Sequence, residues 1–124
     1  MLQSNYEALC EPFNATRLDD LHESLRALDE YYERPAVDHR VMTPHARQAV
    51  NLIRTGIREA SECTPDGNAR ARQYFGAVAH YYLYFSDDLR TDVLEHGSKM
   101  YDQAEHFWSL LSGLLTDCMN LDAY

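Results

Sequence analysis

The 124-residue chain lacks the features that mark most membrane, secreted and zinc-binding proteins. No apolar run approaches the roughly 18 to 20 residues that a membrane-spanning helix needs. The first residues, MLQSNYEALCEPF, have neither a basic region nor an apolar stretch, so no secretory signal is predicted. Cys10, Cys63 and Cys118 are far apart and form no CxxC pair, which favours a reducing compartment over a disulfide framework. We therefore predict a cytoplasmic protein.

Motifs for common catalytic sites are also missing. There is no glycine-rich phosphate loop, no nucleophile elbow and no HExxH pattern, so no cofactor is predicted. The chain has only five glycines and no low-complexity tract, and 45% of its residues are apolar and 25% charged. That composition is typical of a globular protein, and the length predicts a single domain over residues 1–124.

Apolar residues recur at helical spacing between the proline and glycine breakers. A leucine seam predicts a helix that begins at Asn14 or Thr16 and ends before Pro35. Thr43-Pro44 is a strong start for the next helix, and another is expected from about Ser98. Residues 74–85 are apolar or aromatic at nearly every position, which predicts a central helix buried on all sides after a turn at residues 64–68. We expect an all-α bundle of four to five helices, mostly antiparallel and with short loops.

Charge is distributed in three blocks of alternating sign. Residues 1–38 have nine acids against three arginines, a net of −6, and residues 39–86 have three acids against six arginines, a net of +3. Residues 87–124 have eight acids against Arg90 and Lys99, again −6. A chain of net charge −9 is repelled by nucleic-acid phosphates and attracted to basic protein surfaces. We expect no direct binding to nucleic acid or membrane. The expected partner is a protein with a basic surface, for example a nucleic-acid-binding protein.

The candidate protein-binding residues are outward-pointing acids and one tyrosine. Arg26 and Arg34 lie three or four residues beyond acids of the first long helix and can partly neutralise them. Tyr31 and Tyr32 are adjacent and cannot both face inward, so we expect Tyr31 to be exposed. The candidates are Asp19, Glu23, Glu30, Asp87, Asp88, Asp92, Glu95 and Tyr31.

Three arginines of the second long helix form a stripe. Arg47, Arg54 and Arg58 fall within about 40° of one another at 100° per residue. Such a row can grip phosphates or a carboxylate-rich partner. Because acidic segments flank it on both sides, we expect the stripe to pair with acids of the same molecule.

A short repeat places Asp and His at positions i and i+4 twice, in Asp92–His96 and in Asp102–His106. Residues so spaced are neighbours on a helix and can share a metal ion. These four are the candidate metal ligands. A glycine–serine break separates the two pairs, and Asp102 and His106 lie on the polar face of the last helix, so no metal is predicted.

The segment from Arg90 to His96 has an arginine and a histidine separated by five residues. It resembles the R-x(4–6)-H motif of HEPN-type ribonucleases, helical bundles that cut RNA without a metal at a dimer interface. The resemblance implies that His96 acts as general acid–base and that Arg90 stabilises charge on the phosphorus. Thr91 stands where that family usually has Asn, Asp or His, and several carboxylates surround the motif.

Two classes of function follow. The first is a non-enzymatic acidic binding protein, an inhibitor or adaptor that occupies a basic surface of its partner. Nucleic-acid mimics and immunity-type proteins of phage or plasmid origin are subclasses of this kind. The alternative is a HEPN-like metal-independent ribonuclease that uses Arg90 and His96. The sequence leaves open whether the chain forms a homodimer.

Overall fold

A computed structural model describes residues 9–81 and 98–121, with side chains in the second range from residue 101 onward. These residues form four α-helices, two short 3₁₀ helices and no strand. The helices are α1 (Ala15–Tyr32), α2 (Pro44–Ala60), α3 (Pro65–Val78) and α4 (Ser98–Met119), with the 3₁₀ helices at His39–Val41 and Ala79–Tyr81. The predicted all-α bundle is confirmed.

The first two helices begin at the predicted caps. The Asn14 side chain accepts hydrogen bonds from the backbone N–H groups of Thr16 and Arg17, at 3.0 and 3.2 Å. Asn14 is therefore the N-cap of α1, and the alternative start at Thr16 is wrong. Thr43 accepts from the N–H of Ala46 at 3.3 Å in the same way. These side chains satisfy N–H groups that a helix start leaves without a partner.

Helix α3 begins earlier than predicted. Thr64 caps it by accepting from the Gly67 N–H at 3.0 Å, and Pro65 occupies the first helical position. The predicted turn at residues 64–68 is therefore the first turn of a helix, and the predicted start at Tyr74 is wrong. The Thr-Pro pair has the same role here as at the start of α2. Glycine is needed at position 67 because a Cβ there would lie 2.6 Å from the Glu59 carbonyl oxygen.

The predicted burial of residues 74–85 on all sides is also wrong as far as the structure describes them. Phe75 and Val78 are buried, whereas Gly76, Ala79 and His80 are exposed. The helix is amphipathic because the run contains glycine and alanines, which tolerate exposure at little cost. Residues 82–85, and the short helix expected to end near His96, lie outside the described residues.

The four helices form two antiparallel pairs, α1 with α4 and α2 with α3. Each pair is called a hairpin here, although α1 and α4 are not consecutive. Along α1 and α4, Arg17 donates to the Asn120 carbonyl, Ser24 bonds Asp117, and Tyr31 donates to the Gln103 carbonyl at 3.3 Å. As the residue number rises along α1, the number of its partner on α4 falls, so the two helices are antiparallel. In the other hairpin, α2 packs on α3 after a connection of residues 61–64. The core lies between the hairpins, and its fully buried side chains include Leu21, Leu28, Ile53, Val78, Leu111, Leu114 and Leu115.

The loop after α1 is fastened to α4 by one amide side chain. Gln103 donates to the Ala36 carbonyl at 2.7 Å and accepts from the Asp38 N–H at 2.8 Å. Both backbone groups thus find a partner where the chain turns away from α1. This contact sets the position of the loop that leads into α2.

Changing Gln103→Glu is expected to lower the free energy of unfolding by about 1–2 kcal/mol. A carboxylate cannot donate to the Ala36 carbonyl, so two acceptors would face each other. The matched control is Gln73→Glu, an exposed position on α3. It should change stability by less than about 0.5 kcal/mol. Urea denaturation of both variants measures the difference, and equal midpoints would show that the loop does not depend on this contact.

Candidate protein-binding surface

The fold places α1 and α4, one from each acidic stretch of the sequence, side by side. Helix α1 has five acids against two arginines, and α4 has three acids against one lysine, which gives the hairpin a net charge of −5. The α2–α3 hairpin has five arginines against two acids, a net of +3. The described helices therefore separate charge of opposite sign onto two hairpins.

Many of the hairpin's acids have no cationic partner among the residues that the structure describes. Five acids of α1 and α4 are exposed and make no ion pair with any residue that the structure describes: Asp19, Asp20, Glu30, Asp102 and Glu105. On α1, Asp19 and Glu30 lie about opposite the buried leucines of the same helix. Solvent-facing charge therefore runs along both helices of the hairpin.

Two further acids of α1 are neutralised in part. Glu23 pairs with Arg26 at 3.2 Å, as the spacing predicts, but both side chains are about two-thirds exposed, so the pair is weak. Arg34 does not pair with Glu30 and instead lies over the Tyr31 ring, 5.5 Å from its centroid. Asp29 binds Arg54 of α2 through two hydrogen bonds, at 3.1 and 2.9 Å.

Within the described residues, the predicted internal pairing of the arginine stripe is found for one of its three members. Arg54 binds Asp29, and its hydrogen bonds to that carboxylate raise the pKa of the guanidinium further above its ordinary value. Arg47 and Arg58 are exposed and make no ion pair within residues 9–81 and 98–121. Both face solvent on α2, while the described parts of the two hairpins meet through their apolar faces.

The arginines of α3 serve the fold itself. Arg70 bridges Glu59 at 2.9 Å and Glu62 at 3.0 Å, across the α2–α3 connection. Arg72 donates to the carbonyls of Leu9 and Glu11 and lies 4.1 Å from the centroid of the Phe13 ring. It therefore holds the segment before α1 against α3.

Tyr31 is buried, so its predicted place on an exposed binding surface is wrong. Its ring packs against that of His106, with centroids 4.3 Å apart, and its hydroxyl donates to the Gln103 carbonyl. Burial raises the pKa of the Tyr31 phenol, and Arg34 opposes that shift. The reason is that α4 packs on the side of α1 that carries residue 31. The neighbouring Tyr32 is half-buried.

A polar cleft of about 450 Å³ lies where the start of α1 meets the end of α4. Its two carboxylates among the described residues, Asp20 and Asp117, come one from each helix, and Arg17, the basic side chain in the same lining, donates to the Asn120 carbonyl. The lining residues are Asn14, Thr16, Arg17, Asp20, Asp117 and Asn120. The cleft therefore interrupts the acidic hairpin with a concave, polar opening.

Several candidates from the sequence lie beyond the described ranges. These are the acids Asp87, Asp88, Asp92 and Glu95, and the ribonuclease candidates Arg90 and His96. Of the proposed metal ligands, Asp102 and His106 are both exposed on α4. Among the described residues there is no group of three or more His, Cys, Asp or Glu side chains that could hold a metal ion. In the same residues, no helix is long and apolar enough to cross a membrane.

Sequence reasoning missed Asp20, Glu105 and Asp117 as members of the acidic surface. It considered Asp102 only as a metal ligand. Each lies on the polar side of its own helix, which the sequence pattern does show. The pattern does not show that α1 and α4 are partners, and only that pairing makes these residues one surface.

Comparisons of the chain with protein-family models, with curated proteins and with solved structures find no significant match. The functional argument therefore rests on the chemistry of the described residues.

Proposed function

We propose that the α1–α4 hairpin is the docking surface of a non-enzymatic binding protein, and that it occupies a basic surface on another protein. The observation that carries the proposal is the placement of five exposed, unpaired acids on two packed helices. A surface of one sign attracts a partner of the opposite sign and speeds their encounter. An inhibitor or adaptor of a nucleic-acid-binding protein is the class that fits best.

The contrast between the two hairpins supports the choice of the acidic one as the docking surface. Three of the five arginines on α2 and α3 are bound by acids or carbonyls of the same chain. The acids of α1 and α4 are mostly left to solvent. Two ion pairs form on α1, Glu23–Arg26 and Asp29–Arg54, and the five further exposed acids leave the surface negative.

Neutralising four of these exposed acids is expected to weaken binding to a basic partner. The variant carries Asp19→Asn, Glu30→Gln, Asp102→Asn and Glu105→Gln, which change charge at exposed positions and leave the apolar core intact. We expect its affinity for a purified partner to fall about tenfold or more. The partner is first captured from an extract of the native cells by wild-type protein at low salt. Biolayer interferometry then compares the two proteins, with circular dichroism confirming that both are folded.

The matched control is Arg47→Gln combined with Arg58→Gln, which removes exposed charge from the other hairpin. It should retain the partner. Wild-type affinity should also fall steeply as salt is raised, since exposed charges are screened. The proposal would be contradicted if wild type and the acid-neutralised variant bound with equal affinity, or if the affinity did not depend on salt concentration.

A competition experiment separates the subclasses. If the captured partner binds duplex DNA or RNA and the protein is released by an excess of that nucleic acid, the hairpin acts as a nucleic-acid mimic. If the partner stays bound, the acidic surface occupies a different basic site. Cleavage of RNA by purified protein that is lost on His96→Ala would instead favour the ribonuclease.

A further inference from the structure

The outward acids of α1 and the arginine stripe of α2 have the same spacing in opposite directions. Asp19, Glu23 and Glu30 lie at offsets of zero, four and eleven residues, and all are exposed. Read backwards from Arg58, the arginines lie at offsets of zero, four and eleven as well, through Arg54 to Arg47. In each helix the three positions fall within about 40° of one another and span about 16 Å.

An acidic row and a basic row with this spacing match when the two helices run antiparallel. The match places Asp19 opposite Arg58, Glu23 opposite Arg54, and Glu30 opposite Arg47. We propose that two copies of this chain associate through α1 of one copy and α2 of the other in this register. The inference goes beyond the proposed function and does not depend on it.

The outer two pairs of the match are available for such a contact. Asp19, Glu30, Arg47 and Arg58 are exposed and make no ion pair within the part of the chain that the structure describes. The central pair has partners within each copy. However, the Glu23–Arg26 pair is largely exposed, so Glu23 can exchange Arg26 for another cation. Both terminal nitrogens of Arg54 bind Asp29, which leaves its Nε–H to donate to a second carboxylate.

Ionic strength gives this association a recognisable signature. The net charge of −9 repels two copies at long range. At about 0.1 M salt the Debye length is about 10 Å, so long-range repulsion is screened while contacting pairs persist, whereas about 1 M salt screens those pairs too. We expect a reversible dimer near the lower concentration that dissociates at the higher one. Because it covers α1, the dimer also competes with a basic partner.

Charge reversal tests the register directly by sedimentation equilibrium of the full chain. Glu30→Arg and Arg47→Glu should each weaken self-association about tenfold or more at about 0.1 M salt, because each replaces an attraction with a repulsion. The two changes combined in one chain should restore it to within about threefold, since the pair reforms with its signs exchanged. The matched control is Glu105→Arg, an equal charge change on α4 outside the row, which should not weaken the dimer.

Each outcome is decisive. A wild-type protein that is monomeric at the highest attainable concentration in about 0.1 M salt overturns the proposal. A combined variant no better than either single reversal overturns the register, even if a dimer exists. Recovery of self-association in the combined variant supports the register. Failure of the dimer would leave the proposed docking function standing, because the α1–α4 neutralisation experiment measures binding of a heterologous basic partner separately.

Discussion

Replacing Gly56 with alanine is expected to destabilise the protein by about 1–3 kcal/mol, although alanine is the better helix former. Gly56 lies in the middle of α2 and is buried against α3. A Cβ at this position would lie 2.5 Å from Cε1 of Phe75 and 2.9 Å from two further atoms of its ring. Carbon atoms do not approach so closely, so the ring or the helix must move.

The Phe75 ring has little freedom to move away. It is buried in the core and makes an edge-to-face contact with Phe13, with ring centroids 5.7 Å apart. Arg72 covers Phe13 from the other side. A displaced Phe75 would therefore disturb the contact that holds the segment before α1. The gain of about 1 kcal/mol in helix propensity is smaller than this cost.

Two other glycines serve as controls. Gly76 in α3 and Gly113 in α4 are exposed, and a Cβ at either would meet no atom within 4 Å. Alanine there should stabilise the protein by about 0.5–1 kcal/mol. Urea denaturation of the three variants measures the contrast. Adding Phe75→Leu should recover part of the loss at position 56 by removing the ring. A Gly56→Ala protein as stable as the two controls would mean that the hairpin has no close approach here.

Local signals in the sequence predicted how the helices begin. Asn14 and Thr43 are caps because a side-chain oxygen one residue before the helix satisfies its first N–H groups, and this chemistry needs no tertiary partner. Thr64-Pro65 carries the same signal, yet Gly67 favoured a turn. The reason for that glycine is the nearby Glu59 carbonyl on α2, which becomes visible only when the hairpin is folded.

Contacts between helices determine two features that the sequence did not predict, the burial of Tyr31 and the pairing of α1 with α4. The leucine spacing of α1 continues to Tyr32 and predicted an exposed Tyr31, but the position of α4 buries Tyr31 instead. The charge blocks of the sequence indicated an acidic exterior, but the distribution of charge along the chain does not predict which helices pack together. The surface arises because α1 packs on α4, while Asp29 alone among the described acids of these two helices binds an arginine of α2.

The Cys118 thiol should make the protein less stable at alkaline pH. Cys118 lies in the core on α4, 4% exposed, and burial raises its pKa from 9.0 to about 12. Below pH 9 the thiol is protonated in both the folded and the unfolded chain, so it has no effect on stability there. Between pH 9 and 12 the unfolded chain loses this proton while the folded chain keeps it. The free energy of unfolding therefore falls as pH rises, by up to about 1.4 kcal/mol per pH unit.

Cys118→Ala isolates this effect from the titration of other groups, including the buried Tyr31. The variant loses packing at every pH, so the informative quantity is the slope of stability against pH. We expect the wild type to lose stability more steeply than the variant above pH 9, as measured by urea denaturation from pH 8 to 11. A second readout is alkylation, because only a thiolate reacts. The exposed Cys63 should react at pH 8 while Cys118 remains protected until the chain unfolds. Parallel slopes together with rapid labelling of Cys118 would show that the end of α4 opens readily to solvent.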